Sequence, residues 1–177
     1  LLAKEIENLK EVLENPKKPM VVLIGGKNVK TKSKFIEKML KLADYVIVSG
    51  LIKKELTEQH PDILQDVRMS GPEKDLDAPD IDEETIKNFK EKILKAKTIF
   101  WNGPFGRFED SEYKKGTLEI AKAIIESKAF SVAGGGETVE FLKKEGLISK
   151  FNHVSTGGGA MLEFLSGEEL PGLKALE

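Results

Sequence analysis

Five apolar residues in a row, Met20-Val21-Val22-Leu23-Ile24, run straight into Gly25-Gly26. A short continuous apolar run bounded by glycine is the mark of a strand buried on both faces of a parallel sheet. The pattern recurs down the chain. Tyr45–Val48 ends at Ser49-Gly50, Thr98–Trp101 at Asn102-Gly103-Pro104, and Ala129–Ala133 at Gly134-Gly135-Gly136, while Phe151–Ser155 leads to Gly157-Gly158-Gly159. Helical periodicity fills the gaps. Leu2, Ile6, Leu9, Val12 and Leu13 repeat at helical spacing until Asn15-Pro16, and Phe35, Ile36, Met39 and Leu40 follow a cap at Thr31 in a helix to about Leu42. An acid-capped helix is predicted from Asp82 to Lys97, with Ile86, Phe89, Ile93 and Leu94 inward. Others are predicted over Lys115–Ser127, from Gly136 to Gly146, and over Ala160–Leu165. Strand, glycine turn and helix alternating in this way predict one α/β domain over residues 1–177. Its core is a doubly wound, Rossmann-like parallel sheet of about five strands in a three-layer α/β/α arrangement.

Residues 57–82 break the rhythm. His60-Pro61, Ser70-Gly71-Pro72 and Ala78-Pro79 predict loop, with at most a short element around Ile63–Val67. Charge is also uneven. Residues 1–54 hold twelve lysines against six acids, whereas residues 55–85 hold eleven acids against Arg68 and Lys74. The first imbalance suits a phosphate ligand, and the second reads as a solvated, poorly ordered stretch. The formal charge of -2 over the whole chain favours neither nucleic acid nor an acidic membrane as partner. The absence of cysteine removes disulfides, zinc thiolates and a catalytic thiol, and two histidines are few for a metal site. No apolar run approaches the roughly 20 residues of a membrane span, so a cytoplasmic monomer is expected. A start at Leu1-Leu2 without methionine suggests part of a longer protein.

In a doubly wound sheet, ligands bind at the carboxyl ends of the strands. Each glycine cluster falls at such an end, where glycine lets an anion approach the main chain and helix N-termini offer free N–H groups. One cluster alone would read as a tight turn. Clusters at five strand ends point instead to a shared phosphate-binding crevice. Neither GxxxxGK[ST] nor GxGxxG occurs, which argues against a P-loop enzyme or a standard dinucleotide fold. The residues by themselves stop at an α/β domain that binds a phosphorylated ligand.

Trp101-Asn102-Gly103-Pro104-Phe105-Gly106-Arg107-Phe108-Glu109 resembles the WNGPxGxFE loop of phosphoglycerate kinases. Lys115-Gly116-Thr117, Gly134-Gly135-Gly136-Glu137-Thr138 and His153–Ala160 follow in that family's order, as do Gly167 and Leu170-Pro171-Gly172. The resemblance covers the family's C-terminal domain. It implies a phosphotransferase of glycolysis that moves a phosphoryl group between 1,3-bisphosphoglycerate and ADP. This chain would bind MgATP or MgADP, while 3-phosphoglycerate or 1,3-bisphosphoglycerate would be held by an N-terminal domain that the chain lacks. The chain alone would be inactive.

By this resemblance Lys32 would contact the transferring phosphoryl group, with the amides of Gly157, Gly158 and Gly159 around it. Gly25, Gly26, Asn28, Gly50, Asn102 and Pro104 would line the nucleotide site, and Glu109 would take the ribose. Gly135, Gly136 and Thr138 would hold phosphate oxygens, and Glu137 would stand near Mg2+, which keeps several waters and needs few carboxylates. Without the family match, Lys32 would read as a solvated lysine, Glu109 as a surface glutamate and Glu137 as an acidic helix start.

Several positions depart from the family. Asn28 replaces a family lysine, with Lys27 one place early, and Ser49 interrupts the second glycine cluster. Lys53-Lys54 would crowd the adenine pocket, and the stretch between Gly50 and Asp80 is short, as if an edge strand and a helix were missing. These departures leave a second reading, a stand-alone nucleotide-binding or regulatory module derived from such a kinase.

Overall fold

The computed structural model describes residues 2–26, 30, 32–155 and 162. Six parallel strands form one sheet: β1 (Met20–Ile24), β2 (Tyr45–Val48), β3 (Met69–Ser70), β4 (Thr98–Asn102), β5 (Phe130–Gly134) and β6 (His153–Ser155). Their order is β3-β2-β1-β4-β5-β6, so the chain winds outward twice from the centre, first one way from β1 and then the other from β4. The helices are α1 (Leu2–Glu14), α2 (Ser33–Leu42), α3 (Gly50–Gln59), α4 (Pro61–Leu64), α5 (Glu83–Lys95), α6 (Lys115–Ser127) and α7 (Gly136–Lys144).

The apolar runs form the centre because both faces of the sheet are covered. Every residue of β1 and β4 is buried. Successive side chains of a strand point to opposite faces. Met20, Val22 and Ile24 therefore join Phe35, Ile36, Met39, Ile52 and Leu56 beneath α2 and α3. Val21 and Leu23 join Phe89, Ile93, Trp101, Ile120, Ile124 and Phe141 beneath α5, α6 and α7. Burying one such side chain contributes about 1.5–3 kcal/mol, which is why the strand centres are the firmest part of the fold.

Four expectations change. The sheet has a sixth strand, because β3 pairs along β2 through Val46–Met69 and Ile47–Ser70. The edge strand thought missing is shortened to two residues. The acidic stretch is built rather than loose. Ser49 caps α3 by accepting the Ile52 N–H, and Asp66 accepts both the Arg68 backbone N–H and its guanidinium. At α2 the N-cap position belongs to Lys32, which makes no side-chain cap bond; Thr31 lies outside the described residues. Leu94 is 40% exposed, so the inner face of α5 is carried by Ile86, Phe89 and Ile93. The helix expected over Ala160–Leu165 lies outside the described residues apart from Leu162, which is buried.

Candidate functional site

Parallel pairing places every strand's carboxyl end on one edge of the sheet. Ile24 stands opposite both Val48 and Asn102, and Gly134 lies between Asn102 and Ser155. The turns that follow are therefore neighbours. Gly25-Gly26, Ser49-Gly50, the loop from Gly103 to Glu109, and Gly135-Gly136 all meet along this edge. Asn28 and the triplet Gly157, Gly158 and Gly159 lie outside the described residues.

Two of these glycines are there for backbone packing. A Cβ on Gly25 would sit 2.5 Å from the Gly103 carbonyl oxygen and closer still to that of Pro104. Gly103, at φ +97°, is pressed against Gly25 from the other side. The approach is held by backbone bonds, Gly25 N–H to the Asn102 carbonyl at 2.8 Å and Gly26 N–H to the Pro104 carbonyl at 2.8 Å. Three side chains pin the loop from behind. The Trp101 indole N–H donates to the Gly103 carbonyl (2.8 Å), Thr138 Oγ1 accepts the Gly103 N–H (2.7 Å), and Thr117 Oγ1 accepts the Phe105 N–H (3.2 Å). Thr138 is thus fully buried and fastens the loop, whereas the sequence had suggested a phosphate contact for it. Asn102 is 4% exposed and packs under Gly135, where a Cβ would lie 2.9 Å from its Nδ2.

Above this floor lies a cleft of about 650 Å3. Gly26, Gly50, Pro104, Glu109 and Glu137 line it, from turns that follow four different strands. Its outer wall is the segment 72–82. Lys53 and Lys54 do not occupy the cleft, contrary to the crowding expected at that end. Lys53 Nζ donates to the Pro72 carbonyl (2.7 Å), and Lys54 pairs with Asp77 at 2.9 Å, so both lysines brace the wall. Gly50 lies so close to this wall that a Cβ would meet the Leu76 carbonyl. Ser49 Oγ also reaches the Gly26 carbonyl at 3.4 Å, tying the second turn to the first.

α7 begins at the rim. Gly135, at φ +95°, makes the turn, and a Cβ on Gly136 would meet nothing within 4 Å among the described residues; Gly136 is itself exposed, so the first turn of the helix opens to solvent. An open helix start of this kind offers unpaired N–H groups and partial positive charge to an anion. Lys32 lies below. It is 8% exposed, and its Nζ is turned inward to the Gly25 carbonyl at 2.6 Å. Burial lowers its pKa, and the negative charge of Glu137 opposes that shift. Among the described residues no three acidic or histidine groups cluster tightly enough to hold a metal alone.

Sequence reasoning missed Asp80 and Thr117. Thr117 stands in the Lys115-Gly116-Thr117 run that follows the family's order, but that run assigned it no role. Asp80 has its carboxylate between two loops, accepting Ile81 N–H at 2.9 Å and Gly116 N–H at 3.0 Å. Burial raises its pKa, with Glu83 adding to the rise and both N–H bonds and Lys115 pulling the other way. Its place directly ahead of an acid-capped helix was the one available signal.

Comparison with known proteins gives a consistent result. A family model described as phosphoglycerate kinase matches residues 1–63 and 53–168, in two stretches that meet in the segment that reads as shortened. A phosphoglycerate kinase of Buchnera aphidicola subsp. Schizaphis graminum is 37% identical over 217 aligned positions, covering 100% of this chain and 56% of that protein. Against the 177 residues here, at least 40 of those positions have no counterpart in this chain. One from Mycoplasmoides gallisepticum is 35% identical, covering 100% and 55%. Among solved structures, phosphoglycerate kinase from Coxiella burnetii superposes with a TM-score of 0.89 at 32% identity, covering 99% of this chain and 57% of that one. The Pyrococcus horikoshii OT3 enzyme superposes at 0.85 with 30% identity, covering 99% and 56%. The chain therefore spans little more than half the length of the relatives it matches.

Proposed function

This chain belongs to the phosphoglycerate kinase family, and on that premise we propose that it is the nucleotide-binding part of such a kinase, taking MgADP or MgATP in the cleft at the carboxyl edge of its sheet. The observation that carries this reading is the convergence of Gly26, Gly50, Pro104, Glu109 and Glu137 on one cleft beside the open start of α7. The nucleotide's phosphates would lie over Gly135 and Gly136 at the start of α7, and its ribose would lie toward Glu109. Lys32 is within reach of the same phosphates if its ammonium leaves the Gly25 carbonyl, which a phosphate oxygen can replace as acceptor. A lysine there neutralises charge that builds on the transferring group.

Glu137 is an exposed carboxylate in the cleft. One carboxylate fits a magnesium ion that arrives on the phosphates, since such ions keep their waters and take few protein ligands. When bound, the ion supplies charge neutralisation across the phosphates. The acceptor, 1,3-bisphosphoglycerate or 3-phosphoglycerate, would be held by a part of the protein outside these 177 residues. A cytoplasmic monomer fits this role, and no helix among the described residues is long and apolar enough to cross a membrane.

Calorimetry tests the reading. MgADP should bind the purified chain weakly and in a magnesium-dependent way, and the absence of magnesium-dependent heat at millimolar nucleotide would sink it. The chain by itself should form no ATP from 1,3-bisphosphoglycerate and MgADP, so measurable turnover would overturn the division of labour. A stand-alone binding or regulatory module is the second reading, favoured by Asn28 and by the compressed wall of residues 51–80. A basic α/β domain encoded upstream of Leu1 would decide against that alternative.

A further inference from the structure

We infer that Asp80 is a positioning residue for the ribose end of the cleft: its carboxylate, with the Pro79 carbonyl, clasps the Gly106-Arg107 turn to the start of α6 and so sets where Glu109 stands. The inference rests on the nucleotide reading above and names how one end of that site is held.

The geometry is specific. Asp80 Oδ2 accepts the Gly116 N–H of α6 at 3.0 Å, and Oδ1 accepts the Ile81 N–H at 2.9 Å. The Pro79 carbonyl accepts the Arg107 N–H at 2.8 Å. Gly106 lies against the carboxylate, since a Cβ there would come within 2.5 Å of Asp80 Oδ1, and a Cβ on Gly116 would also collide with that oxygen. Two glycines thus leave room for one carboxylate. Arg107 is bonded two residues before Glu109, and the Asp110 N–H returns to the Arg107 carbonyl at 3.0 Å, so the clasp is passed directly to the segment that carries Glu109. Both oxygens of Asp80 already accept backbone N–H groups, so its work is to hold the loop rather than to bind a ligand. A half-buried carboxylate carries a desolvation cost, and the bonds it makes inside offset that cost only while the clasp is closed.

The Gly103 end of the loop is independently fastened by Trp101 and Thr138. Loss of Asp80 should therefore loosen the Gly106–Glu109 end and leave the phosphate end in place. The experiment compares MgADP with its 2′,3′-dideoxy analogue by calorimetry on the full chain and on Asp80→Ala and Asp80→Asn. The unsubstituted chain should prefer MgADP by about tenfold, the effect of a charge-assisted bond to the diol. Asp80→Ala should bring that ratio close to one with the affinity for the dideoxy analogue unchanged. Asp80→Asn, which keeps one acceptor oxygen, should fall between.

A ratio that survives in Asp80→Ala overturns the inference, as does an equal loss for both nucleotides, which is what a merely structural residue would give. Equal binding of the two nucleotides by the unsubstituted chain overturns it too. If Asp80→Ala does not fold, the Asp80→Asn ratio decides. Amide exchange at Arg107 and Gly116, measured without ligand, should accelerate in Asp80→Asn; unchanged exchange overturns the clasp. If the unsubstituted chain binds neither nucleotide, the nucleotide reading itself falls, and the assignment of Asp80 to a ribose falls with it.

Discussion

Replacing Gly25 with alanine puts a methyl group where the backbones of two strand-end turns already touch. The new Cβ would lie 2.5 Å from the Gly103 carbonyl oxygen, 2.8 Å from the Pro104 carbonyl carbon and closer still to the Pro104 oxygen. Contacts under 3.0 Å are essentially never seen for real Cβ atoms, so one turn must retreat. Neither can do so freely. The far turn is pinned by the Trp101 indole and by Thr138, and the near one is the end of the central strand β1. Retreat breaks or stretches Gly25 N–H to Asn102 and Gly26 N–H to Pro104. A buried amide left without its partner costs about 1–3 kcal/mol, and overpacking adds about 1–3 kcal/mol. The expected loss is therefore about 2–6 kcal/mol, or roughly 4–24 °C in Tm for a chain of this size. Urea denaturation followed by the fluorescence of Trp101 measures it directly, because this is the chain's one tryptophan and its indole is bonded to the strained loop. Gly136→Ala is the control. Among the described residues a Cβ there meets nothing within 4 Å, and alanine is the better helix former by about 1 kcal/mol, so stability should hold or rise. A Gly25→Ala protein as stable as the control would show that the two turns are not locked together and would refute the packing role assigned to Gly25.

Three further outcomes follow from the electrostatics. Lys32→Met should weaken MgADP binding by roughly 10- to 100-fold, the effect of losing one charged contact of about 1.5–3 kcal/mol. Because burial lowers the pKa of Lys32 from 10.5, the folded state binds fewer protons than the unfolded state between the lowered value and 10.5, and stability rises with pH across that window. Denaturation at several alkaline pH values should show the rise in the native chain and its absence in Lys32→Met; an identical slope in both would remove Lys32 from the account. At the acid end, Arg68 holds the Asp66 carboxyl at about 2, below its usual 3.8. The stability this supplies is present above pH 3.8 and is lost as pH falls toward 2. Asp66→Asn should flatten that part of the acid limb, and an unchanged limb would mean the pair adds nothing.

The strands of the sheet centre were legible because their burial is local information. Met20–Ile24 cannot be solvated anywhere along its length, and Thr98–Asn102 is the same case. Helices α5, α6 and α7 were legible for the same reason, and the boundaries predicted for Lys115–Ser127 match α6. α3 was harder to see. Of its ten residues only Ile52 and Leu56 are buried, so its apolar stripe is two residues wide and its start depends on the Ser49 cap. β3 was invisible, since a two-residue, half-buried strand is defined by its partner β2 and carries no periodicity of its own. In the candidate site, the glycine turns announced where a crevice would form but not which glycines serve packing and which stay open. Gly25 and Gly136 look alike in sequence, yet one is crowded by backbone and the other faces solvent. Asp80 could be read only as a residue just ahead of an acid-capped helix, because its significance lies in Gly116, which only the fold brings near.

The strand order has a consequence for how the chain assembles. Residues 20–70 make one half-sheet, β3-β2-β1, and residues 98–155 make the other, β4-β5-β6, and the two halves are zipped together along β1 and β4. Each half closes over helical crossovers such as those from Val21 to Tyr45 and from Thr98 to Phe130, whereas the seam joins Met20 to Thr98 and must wait for a longer closure whose entropy it cannot recover locally. The cleft lies across that seam, with Gly26 and Gly50 on one half and Pro104, Glu109 and Glu137 on the other. A molecule bound there is therefore bound only by the zipped chain, and its binding energy adds to the stability of that joined state by mass action.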